Sequence, residues 1–71
     1  MDFSKTIIIK KKGKSYTAVF SHDSGVVTVT AKGPDGTIPM RSTRATGPDK
    51  AETMAKGLLR EMIEAGRVIP D

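Results

Sequence analysis

Turn signals cut the first two thirds of this chain at nearly even intervals. Gly13 sits between two lysines, Gly25 closes "SHDSG", and "GPDG" spans 33–36. Glycine takes positive φ at little cost, and Pro-Asp-Gly is a turn sequence in its own right. Here Pro34-Asp35 suits a type I turn, with Gly36 at positive φ closing a three-residue loop. Between these points lie stretches of strand length rich in β-branched residues: Phe3 to Lys11, Ser15 to His22, Val26 to Lys32 and Thr37 to about Thr43. Strands joined by loops this short can only pair with their sequence neighbours, so the expectation is a four-stranded antiparallel meander. Pro39 lacks a backbone donor, so the fourth strand should lie at an edge or be short and irregular.

The remaining third changes period. Gly47-Pro48-Asp49 marks a helix start, with proline in the first turn and an acid at the positive end of the dipole. Ala51, Met54, Ala55, Leu58, Leu59 and Met62 then recur at three- and four-residue spacing, while Glu52, Lys56, Arg60 and Glu64 form an i,i+4 ladder elsewhere on the surface. Gly66 is placed to cap the C-terminus, so the helix runs over about 48–65. Gly57 interrupts it, either to permit a close approach or for no structural purpose. The fold class expected is α+β: ββββ followed by one helix on one face of the sheet, in a single domain over residues 1–71.

Alternation then sorts the side chains. Ile7, Ile9, Tyr16, Ala18, Phe20, Val27, Val29, Ala31, Ile38 and Met40 are assigned to the helix-covered face. Thr6, Ile8, Lys10, Thr17, Val19, Val26, Thr28, Thr30, Thr37, Arg41 and Thr43 go to the other, which one helix cannot cover. Its threonines suit water, and its Ile8, Val19 and Val26 suit the centre of a dimer contact.

At 71 residues with no cysteine, the chain has neither disulfides nor thiolate metal ligands to support a thin core. The N-terminal segment has no signal-type apolar stretch, and no apolar run is long enough for a bilayer, so a cytoplasmic protein without membrane association is expected.

Charge is distributed unevenly. Of the net +4, the first fourteen residues hold five lysines against Asp2. In a meander, strands one and three end together, so Lys10, Lys11, Lys12 and Lys14 at the first hairpin share a rim with Lys32 at the third. Such a rim can grip the phosphates of nucleic acid or another polyanion, or can simply block edge-to-edge aggregation. Arg41 and Arg44, with Ser42 and Thr46, belong to the opposite end and lead into the N–H groups of the helix start, a second candidate anion site opposed by Asp49.

Other chemistry finds little support. Phe3, Tyr16 and Phe20 are the only aromatics and two of them face the core, which argues against base stacking. There is no Asn or Gln to read adenine, so any nucleic-acid binding, to DNA or RNA, should address the backbone. Ser21, His22, Asp23 and Ser24 are consecutive, alternate in direction on a strand end and cannot line up as a triad. His22 beside Asp23 reads as a solvated turn pair. Glu61 and Glu64 read as solubilising acids. With one histidine and scattered acids, neither a metal site nor a cofactor is expected, and the chain reads as non-catalytic.

The stretch "GKSYTAVFSHDSG", followed by short strands and the helix "ETMAKGLLREMIEAG", resembles small bacterial proteins of the HicB antitoxin type over about a third of the chain. The proline-glycine segment that follows the second strand in that family is missing here, and the resemblance carries neither residues nor activity across. Two functions follow from the residues themselves: a basic module binding a polyanion through its lysine rim, or a protein-interaction or homodimerisation domain using the open face or an edge strand.

Overall fold

The computed structural model describes residues 3–45 and 47–71. Strands β1 (Phe3–Lys11), β2 (Lys14–Asp23), β3 (Val26–Ala31) and β4 (Met40–Arg44) form one antiparallel sheet in the order β1-β2-β3-β4, and helix α1 (Pro48–Glu64) follows. The α+β meander expected from the turns is therefore the fold. The second strand is longer at both ends than the turn signals suggest, and the fourth starts three residues later.

The turns explain the connectivity. Lys12 and Gly13 (φ 52° and 76°) and Ser24 and Gly25 (φ 52° and 77°) both take left-handed conformations, the pairing of a type I′ hairpin whose twist matches that of the strands. The third turn departs from expectation. Asp35 as well as Gly36 has positive φ (57° and 78°), and the Thr37 N–H donates to the Pro34 carbonyl at 3.1 Å. Two left-handed residues make this turn primed rather than type I.

The helix covers the face on which Ile7, Ile9, Ala18, Phe20, Val27, Val29 and Ala31 are buried, with Phe3 and Tyr16 packed at its margin. Phe3 meets Phe20 edge to face, ring centroids 5.6 Å apart. From the helix come Ala51, Ala55, Leu58, Leu59, Met62 and Ile63, a stripe at i, i+4, i+7, i+8, i+11 and i+12. Met54, expected in that stripe, lies about 100° round from its centre and is exposed, and Ile63 takes the place instead. Helix and β1 run the same way, held at both ends by ion pairs. Lys5 meets Glu52 at 2.9 Å and Lys11 meets Glu64 at 3.3 Å. The spacing is consistent, since twelve helical residues and six strand residues each advance about 18–20 Å. Glu52 also pairs with Lys56 at 3.4 Å. The hydrogen bond from Lys5, its charge and then the Lys56 contacts hold the Glu52 carboxyl below its usual range, so this ion cluster contributes at neutral pH and is lost only as acidification passes that lowered value.

Gly66 (φ 74°) ends the helix as expected. Its N–H donates to Ile63 O and the Arg67 N–H to Met62 O, both at 3.0 Å, the paired bonds of a Schellman motif. Beyond it, Val68 is buried, the Ile69 N–H donates to Lys32 O at 3.0 Å, and the Asp71 N–H donates to Ser15 O at 2.8 Å. The tail thus fills the notch left where β3 stops opposite Ala18 while β2 continues to Lys14.

Gly57 makes no close approach, because a Cβ added there meets nothing within 4 Å. Gly57→Ala should therefore stabilise the protein by about 1 kcal/mol through helix propensity alone. A thermal melt checks this, and a lowered midpoint would mean that the position is occupied by something other than solvent.

Several assignments are corrected, among them the placing of Arg41 and Thr43 on the open face. Ile38 and Met40 are not in the core; they are 70% and 62% exposed. Register places Arg41 opposite Val29 and Thr43 opposite Val27, with Met40 opposite Thr30, so the inward phase of this segment is Pro39, Arg41, Thr43, Ala45. Pro39 and Ala45 are the buried members. An edge strand gains little from the helix, so turn and register, rather than apolar content, set its phase. His22 is likewise no solvated turn residue. It is 8% exposed, sits between Phe3 and Val27 in register, and its Nε2 lies 3.2 Å from Ala45 O. Its even number puts it in phase with Phe20 on the covered face, and β2 runs one residue further than expected.

Candidate functional site

The lysines of the first hairpin separate according to strand phase. Lys11 shares the inward phase of Ile7 and Ile9, and its long stem carries the ammonium out to Glu64. Lys10 falls on the open face. Lys12 and Lys14 stand at the turn, both exposed. None of Lys10, Lys12, Lys14 and Lys32 is held in an ion pair among the described residues.

Lys32 lies at the same end of the sheet but is not contiguous with the tip. β3 ends four residues short of Lys14 in register, about 13 Å along the strand, and the tail occupies the gap. The tail introduces an acid there: the Thr17 hydroxyl donates to the Asp71 carboxylate. It also introduces a cation that sequence periodicity did not single out. Arg67 is exposed beside the third turn, where its backbone carbonyl approaches Gly33. The basic end is thus two clusters, Lys10-Lys12-Lys14 and Lys32-Arg67, with Asp71 between them.

A cleft of about 280 Å³ opens beside the hairpin tip, lined by Lys11, Lys12, Lys14, Tyr16, Ile63 and Glu64. It faces the C-terminal end of α1, whose carbonyls and Glu64 oppose an anion. Lys10, on the open face, points away from this cleft, whereas Lys12 and Lys14 line it and are exposed at the turn.

The second candidate group does not converge. Arg41 and Arg44 are three residues apart on a strand and point to opposite faces, one in the Val29 row and the other in the Val26 row. Thr46 lies outside the described residues. The helix N-cap is Gly47, with no side-chain cap, and Asp49 occupies the first turn.

Of the expected contact face, Ile8 and Val19 are 58% and 47% exposed and close together, whereas Val26, 38% exposed, stands at the far end between Asp23 and Arg44. Ile38 and Met40 join the first pair. The misleading signal was their apolar character; the useful one was Pro39, whose ring, buried in the structure, fixes the outward direction of both neighbours. No helix is long and apolar enough to cross a membrane among the described residues. Comparisons with family models, with curated proteins and with solved structures give no match.

Proposed function

We propose that the protein is a small non-catalytic binding module whose basic sheet end grips a polyanion, nucleic acid being the leading candidate. The observation that carries this reading is the set of exposed ammonium groups of Lys10, Lys12, Lys14 and Lys32 at one end of the sheet, unpaired among the described residues. Flexible lysines on a turn follow phosphates without fixed geometry, so the binding is sequence-tolerant. The aromatics support the same mode: Phe20 is fully buried, Phe3 packs on it, and Tyr16 is half-buried at the core margin, leaving no platform for unstacked bases among the described residues.

Replacing Lys10, Lys12, Lys14 and Lys32 together by Gln tests the reading against mixed-sequence DNA and RNA at two salt concentrations. Each lost phosphate contact should reduce the salt slope by about 0.7–0.9, roughly 3 in all, and affinity should fall alike for every sequence. Lys11→Gln, which removes a charge already engaged by Glu64, should change binding less. A quadruple variant that binds as the parent does, or a parent that binds neither polymer at low salt, would overturn the proposal.

A further inference from the structure

The open sheet face carries an apolar cluster that the fold itself does not use. Register sets Thr6, Val19, Thr30 and Met40 in one row across all four strands. Ile8 is the diagonal neighbour of Val19, and Ile38 edges a shallow depression of about 330 Å³ with Thr17, Val19, Thr30 and Lys32. Ile8, Val19, Ile38 and Met40 are each between 47% and 70% exposed. Scattered exposed apolar residues are ordinary, but a contiguous group on a flat surface marks an interaction site.

The residue types say what can cover it. Around the apolar cluster the face bears Ser4, Thr6, Thr17, Ser21, Thr28, Thr30 and Ser42, and Thr28 and Ser42 already pair at 3.0 Å. A hydroxyl both donates and accepts, so it can meet its own kind across a two-fold axis, and an apolar side chain can do the same. Charges, which cannot, are kept to the ends: Lys10 and Lys32 with Asp71 at one, Asp23 and Arg44 at the other. An open sheet face is matched in shape by another sheet packed about 10 Å away.

We infer that this face is where a second copy of the chain packs, sheet against sheet. Of the two ways to place the axis, one stacks lysine end on lysine end. The other reverses the strands and sets Lys10 and Lys32 of each copy over the end that bears both Asp23 and Arg44, and it is selected because it keeps the lysine ends of the two copies apart. Strand lengths and spacings give a face of roughly 500 Å² in projection, below the approximately 800 Å² per partner of a standard interface. The dimer is therefore reversible, with a concentration-dependent population. This inference does not depend on the polyanion reading.

Sedimentation velocity over a concentration series is the test. The parent should move from 7.6 kDa towards twice that mass, with a thermal midpoint that rises with concentration. Val19→Asp, at the centre of the face, should remain monomeric with an unchanged far-UV circular dichroism spectrum; Met40→Asp on the edge strand serves if Val19→Asp does not fold. Asp23→Lys should weaken association about tenfold. A parent that stays at monomer mass at millimolar concentration, face variants that associate as the parent does, or Asp23→Lys without effect would each overturn the arrangement. So would a monomeric parent whose Val19 is needed to bind anionic vesicles, which would assign the face to lipid.

Discussion

Leu59→Asp should leave the chain unfolded at 25 °C, read as loss of the native circular dichroism spectrum and of the cooperative melt. Leu59 has no exposed surface and belongs to a core cluster made only of apolar side chains. Removing a buried leucine costs about 2–5 kcal/mol, and an unpaired carboxylate in its place adds several more. A domain of this size has roughly 3–5 kcal/mol to lose. Thr28→Asp is the control. It lies on the open face and loses only its 3.0 Å hydroxyl pair with Ser42 and some strand propensity, so it should melt somewhat lower yet fold. If Thr28→Asp collapsed while Leu59→Asp stayed native, the helix would be on the wrong side of the sheet.

The second large effect is expected at Gly33, which is buried although it lies beside a turn. Its φ is ordinary, so the demand for glycine is one of space. A methyl group there would come within 2.8 Å of both the Arg67 carbonyl and the Pro39 ring, and closer still to the Thr37 hydroxyl. Two of these are backbone or ring atoms that cannot swing aside. Gly33→Ala should therefore push the tail from its notch and cost about 1–3 kcal/mol, lowering the melting midpoint by roughly 4–20 °C. Hydrogen exchange at Ile69 and Asp71, whose amides are bonded to Lys32 and Ser15, should accelerate. An unchanged midpoint with both amides still protected would sink the account of the tail as a packed element.

Much of this was legible in advance, for identifiable reasons. Gly13, Gly25 and Gly36 fall at positions whose positive φ nothing else serves as well, so strand order followed from them. The burial of Ile7, Ile9, Ala18, Phe20, Val27 and Val29 followed from strict alternation under a helix that presses on the first three strands. The fourth strand escaped because Ile38 and Met40 obey a register set by the third turn, at an edge where apolar content carries little weight. His22 escaped because a polar residue next to a turn sequence invites an exposed reading, whereas β2 extends through it. The lysine run looked uniform as a string. Its division between Lys11, tied to Glu64, and its unpaired neighbours depends on a helix fifty residues away, and the placement of Asp71 among them depends on a tail with no periodicity of its own.

The order of the elements sets a schedule for a chain being made. All four strands precede the helix, and hairpins this short close in microseconds, whereas synthesis at 5–20 residues per second needs on the order of 1–4 s to supply the twenty residues after Arg44. For that interval the strands lack their cover, and Phe20, Val27 and Val29 have no helix to bury them. The lysines of β1 and its hairpin are already in place by then. Their like charge opposes contact between neighbouring unfinished chains whose apolar residues are still uncovered.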